Sequence, residues 1–101
     1  MALTVQLIVE SGRVLEEIYD PPGFADLLPD DTDESSQCLR FIDPYGDTVF
    51  NTLQIPTFLR ELSLVEEHAT TDQHRRFIAE LRRLASRCQE EPHRYLKFVG
   101  D

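Results

Sequence analysis

The chain is short of bases. Ten lysines and arginines stand against 19 aspartates and glutamates, a formal net charge of -9 over 101 residues. That balance excludes general DNA or RNA binding, which needs a basic surface to release counterions from phosphates. There is no run of about 18 apolar residues, so no membrane-spanning helix is expected. The opening stretch, Met1 to Val9, has neither a basic n-region nor a small-residue cleavage site. No secretory signal is therefore expected, and the cytoplasm is the expected location. Cys38 and Cys88 are the only cysteines, far apart and without a secretory context, so two buried thiols are expected rather than a bridge. Tryptophan, internal repeats and heptads are all missing. The length fits one domain.

The usual catalytic and metal patterns are missing too. Gly12, Gly23, Gly46 and Gly100 stand alone, so there is no phosphate-cradling loop, and no serine occupies a nucleophile elbow. A calcium loop starting at Asp31 needs Gly sixth and Glu twelfth, where the chain has Ser36 and Ile42. Starting at Asp30 gives Ser35 and Phe41 instead. His68, His74 and His93 lack the spacing of a helical metal site, and neither cysteine has a paired neighbour for zinc. His74 projects onto the apolar side of its helix, where a packed, hydrogen-bonded imidazole is expected. The Glu16–Glu17 pair lies in an exposed context and reads as solvated. Neither a metal, a cofactor nor an enzymatic activity is expected.

What is present reads as an α+β domain. Leu3, Val5, Leu7 and Val9 alternate with Thr4, Gln6 and Ile8, as in a half-buried strand. Glu10 to Arg13 is turn chemistry, and Arg13 to Tyr19 fits the second arm of a hairpin. Asp20-Pro21-Pro22-Gly23 ends that arm, because prolines cannot donate to a ladder. Residues 24–37 read as a long, exposed acidic loop with one helical turn at Phe24–Leu28. Cys38 to Ile42 is expected to be a strand. Asp43-Pro44-Tyr45-Gly46 has type I turn preferences, and Thr48 to Asn51 is expected to return as the partner strand.

Pro56 suits the first turn of a helix, with Ile55, Phe58, Leu59, Leu62 and Val65 forming one apolar stripe to about Ala69. Thr70 with Gln73 forms a capping-box pattern that opens a second helix. Its apolar face is Phe77, Ile78, Leu81, Leu84, Ala85 and Cys88, and it stops before Pro92. Tyr95 to Val99 reads as a final strand, with Leu96 and Phe98 on one face. The expected order is β-β-β-β-α-α-β, an antiparallel sheet of about five strands with both helices on one face.

The charge is not spread evenly. Residues 10–47 hold eleven acids against Arg13 and Arg40, a net of -9, while residues 48–101 are neutral. The acidic candidates for partner binding are Asp26, Asp30, Asp31, Asp33, Glu34, Asp43 and Asp47, with Tyr45 as an aromatic anchor at a turn tip. Arg75, Arg76, Arg82, Arg83 and Arg87 share one arc of the second helix. They read either as a guanidinium face for anions or as an ordinary solvated face.

Two segments resemble known sequences: Leu39-Arg40-Phe41-Ile42-Asp43-Pro44-Tyr45-Gly46-Asp47-Thr48-Val49-Phe50-Asn51 and Glu91-Pro92-His93-Arg94-Tyr95-Leu96-Lys97-Phe98-Val99-Gly100-Asp101. They resemble small bacterial proteins of the mobile gene-cassette or toxin-immunity kind, over about a quarter of the chain. The resemblance implies a bacterial cytoplasmic protein whose job is binding, and it transfers no catalytic residue. The function expected first is therefore a small acidic protein-binding module, most concretely an immunity-type inhibitor steered onto a basic toxin. The alternatives are a structural or regulatory homo-oligomer, such as a homodimer, and a small anion or ligand binder using the Arg face.

Overall fold

A computed structural model describes residues 2–100. β1 (Thr4–Val9) and β2 (Val14–Tyr19) form the expected hairpin. Gly12 sits at φ 92° in its turn, a left-handed conformation that a side chain would strain. A 3-10 turn follows at Phe24–Leu27, and a second spans Leu39–Phe41. Then come β3 (Asp47–Asn51), α1 (Ile55–Glu67), α2 (Asp72–Glu90) and β4 (Arg94–Val99). The sheet is antiparallel with order β2-β1-β4-β3. The last strand of the chain is thus an inner one, which ties the C-terminal segment to both the first hairpin and β3.

The alternation in β1 and β4 sets the two faces of the sheet. Val5 and Leu7 pair with Phe98 and Leu96, and all four are buried beneath the helices. Phe50 of β3, Phe58 of α1 and Phe98 of β4 stack at centroid separations of 5.6–5.9 Å, fixing α1 over the β3 side. Phe24 packs edge-on against Phe77, 4.6 Å between centroids, and pins the segment after the two prolines onto α2. Ile78, Leu81, Leu84, Ala85 and Cys88 complete the α2 stripe, all buried. Cys38 and Cys88 are free buried thiols, as the sequence suggests. His74 is half-buried and its Nε2 lies 2.9 Å from the Pro22 carbonyl oxygen, the packed histidine expected.

Three expectations need correction. The sheet has four strands rather than about five, because Cys38–Ile42 is not a strand. The backbone N–H groups of Gln37, Cys38 and Leu39 all converge on the Glu61 carboxylate of α1. Successive N–H groups of a strand point in opposite directions, so one carboxylate can collect three of them only if the backbone curls. The Asp43–Gly46 turn does form, with Gly46 N donating to Asp43 O at 3.3 Å, but it joins a 3-10 turn to β3 rather than two paired strands. β3 pairs only with β4. Finally, α2 is capped by Thr71 and not Thr70: Thr71 Oγ1 accepts the His74 N–H at 3.1 Å.

Candidate acidic docking surface

Glu61 organises the acidic half. It occupies the apolar stripe of α1, three residues after Phe58 and four before Val65, and is only 7% exposed. Its carboxylate accepts the Ser36 hydroxyl at 2.6 Å and the N–H groups of Gln37 at 2.7 Å and Leu39 at 3.0 Å. Ser36 Oγ in turn accepts the Arg40 N–H at 3.0 Å. Burial acts to raise the carboxyl pKa. The bonds from Ser36, Leu39, Gln37 and Cys38 outweigh it and hold the group below the usual carboxylate range. A buried carboxylate without a cation is thus satisfied by backbone dipoles, and the end of the acidic loop is fastened to the helix.

The loop acids are oriented by local bonds. Asp30 accepts the N–H and hydroxyl of Thr32, and Asp33 accepts those of Ser35. These are Asx turns, and they hold both carboxyls below their ordinary values. Arg40 donates to the Asp31 carbonyl at 3.4 Å, and its guanidinium stacks over Phe41, 4.5 Å from the ring centroid. Phe41 O accepts the Thr48 hydroxyl, Thr48 Oγ1 accepts the Asp43 N–H, and Asp43 Oδ1 accepts the Tyr45 N–H. Arg40, bonded to Asp31 and stacked on Phe41, thereby links the Asp30–Glu34 stretch to the hydrogen bonds of the Asp43–Gly46 turn.

Asp43 and Tyr45 belong directly to these bonds, Asp31 joins them through its backbone carbonyl, and Asp33 lies within the electrostatic reach of Arg40. Glu34 is exposed within the loop, and its carbonyl accepts Gln37 Nε2 at 3.3 Å. Asp26 stands apart, exposed in the first 3-10 turn. Asp47 belongs to the open sheet face, 3.6 Å from Lys97 Nζ. Tyr45 is 74% exposed and Phe41 54%. Phe41 was not legible as a surface residue, because a strand would have given it a ladder position.

The arginine arc of α2 is largely used within the fold. Glu16 lies on the helix side of β2, opposite Leu7, and its carboxylate bonds both Arg83 and Arg87. The Arg83 bond, helped by Arg87 and opposed by desolvation, draws the Glu16 carboxyl down to about 2. Arg75 pairs with Asp72 at 3.1 Å and Arg82 with Glu66 at 2.7 Å. Arg76 alone of the five has no ion pair among the described residues.

Beside the loop lies a cleft of about 330 Å³ between residues 27–39 and the C-terminal half of α1. Leu27, Pro29, Leu39, Leu64 and Val65 give it apolar walls, while Asp33, Glu67 and His68 also line it. Among the described residues no group of three His, Cys, Asp or Glu side chains is placed to hold a metal. No helix among them is long and apolar enough to cross a membrane. Comparison with known proteins finds no matching family model, curated protein or solved structure.

Proposed function

We propose that the protein is an acidic binding module for a basic protein, an immunity-type inhibitor being the most concrete form. The observation that carries the reading is the pair of exposed aromatic rings, Phe41 with the Arg40 guanidinium over it and Tyr45 beside Asp43, linked through Thr48 next to the acidic loop. Aromatic anchors supply contact area and short-range affinity, while the surrounding charge accelerates encounter with a basic surface. The arrangement needs no catalytic group. A fixed backbone also limits the entropy lost on docking.

The test is capture from a lysate of the source cells at low and high salt, using the wild-type chain and a Phe41→Ala/Tyr45→Ala variant. The reading requires a basic protein that is retained at low salt, released at high salt, and lost with the variant. No retained protein at any salt, or equal retention by the variant, defeats it.

A second reading is self-association through the uncovered sheet face, where Tyr19 and Val49 are exposed on the edge strands β2 and β3. Sedimentation at micromolar concentration separates the two. A stable dimer supports self-association, and a monomer supports docking of a different protein.

A further inference from the structure

We infer that the cleft between the acidic loop and α1 is an anchor pocket for one apolar side chain of a basic partner segment. The inference rests on the docking reading above and names what the partner must present: a leucine-like side chain flanked by lysine or arginine.

The first argument is Leu64. The large apolar residues of the α1 stripe are buried or half-buried, but Leu64 lies off that stripe and is 58% exposed in the wall of the cleft. Leu39 and Val65, both buried, form the surface behind it, and Leu27 and Pro29 close the loop side. A cleft of about 330 Å³ lies at the small end of the range for ligand pockets, which suits a single side chain better than an extended ligand.

The second argument is charge. No lysine or arginine lines the cleft, whereas Asp33 and Glu67 do. The Glu61 carboxylate is turned to the loop backbone and spends its acceptors there, so it belongs to the wall rather than to the recognition chemistry. An apolar floor with carboxylates beside it disfavours fatty acids, phosphates and acidic peptides. It favours an apolar group carried between cations.

The third argument is rigidity. The Glu61 bonds hold residues 36–39 against α1, so one wall of the cleft is fixed to the other. A pre-formed cleft spares the partner the cost of ordering a loop.

The test uses the isotopically labelled full chain and three probe peptides, acetyl-Lys-Lys-Leu-Lys-Lys-amide, its Leu→Ser counterpart, and acetyl-Glu-Glu-Leu-Glu-Glu-amide. Amide shifts are followed on titration at low salt. The inference expects the leucine peptide to move Ser35, Leu39, Leu64 and His68, and to bind about tenfold more tightly than the serine peptide, as burial of one leucine implies. Leu64→Ser should abolish that preference while leaving the fold intact, since it removes an exposed side chain. Glu67→Lys should weaken both basic peptides, and the acidic peptide should not bind. Equal binding of the leucine and serine peptides with shifts confined to residues 41–47 overturns the cleft but leaves the docking surface standing. No shift with either basic peptide overturns the cleft, while the cell-lysate capture decides the docking surface independently.

Discussion

Glu61 Oε1 accepts the Ser36 hydroxyl at 2.6 Å, joining α1 to the acidic loop across 25 residues of sequence. The same carboxylate gathers the N–H groups of residues 37–39, so the loop end is held by a helix rather than by the sheet. Glu61→Gln places an amide NH₂ among these donors. It is expected to cost about 2 kcal/mol of stability, the scale of a lost charge-assisted bond together with unsatisfied buried donors. Urea denaturation measures the cost, and faster amide exchange at Gln37, Cys38 and Leu39 locates it.

Acid should expose the same dependence. The Glu61 and Glu16 carboxyls are both held below their ordinary value of 4.5 in the fold, Glu16 down to about 2. The Glu16 contribution is present above about pH 4.5 and is lost as the pH falls towards about 2, and the Glu61 contribution likewise declines as the pH falls below 4.5, because the unfolded chain binds the protons first. Glu16→Gln should cost about 1 kcal/mol at neutral pH, the scale of a partly exposed ion-pair network, and should flatten the acid limb of the stability curve. An unchanged acid limb speaks against the Arg83–Glu16–Arg87 linkage.

The C-terminal strand and the acidic turn meet at Gly100. Its N–H donates to Gly46 O at 2.7 Å, and a Cβ built there would lie 2.4 Å from the Pro44 carbonyl oxygen. Gly100→Ala forces backbone apart at this contact, with an expected loss of about 1–3 kcal/mol, as for overpacking. Thermal unfolding reads the loss, and shifted Tyr45 resonances should accompany it.

Function and stability should separate at the exposed aromatics. Tyr45→Ala is expected to change stability by no more than about 0.5 kcal/mol. Phe58→Ala, in the Phe50–Phe58–Phe98 stack, should cost about 3–5 kcal/mol. If Tyr45→Ala proved as destabilising as Phe58→Ala, Tyr45 would be part of the core rather than a free anchor.

Much of this fold is legible in the sequence because periodicity and burial agree. The alternation of Val5 and Leu7, the stripes of both helices, and the paired faces of β4 all mark what the core requires. Cys38–Ile42 misleads because its apolar residues suit a strand while the N–H groups of Cys38 and Leu39 go to a side chain 22–23 residues away. Glu61 carries the missing signal: a glutamate inside an apolar stripe needs buried donors, and the loop backbone supplies them. The arginine arc of α2 misleads in the opposite way, since its main partner, Glu16, lies on a strand whose facing depends on sheet register. The acidic candidates themselves are visible from composition. Their grouping is not, because it depends on bonds through Thr48 and Arg40.

The most direct test of docking on the acidic half is amide hydrogen exchange of the chain alone and in complex with the basic protein it captures. Added protection is predicted across residues 30–47 and at the C-terminal turn of α1 around Leu64. Protection confined to the arginine arc of α2, or to the open face of the sheet around Tyr19 and Val49, would contradict the account.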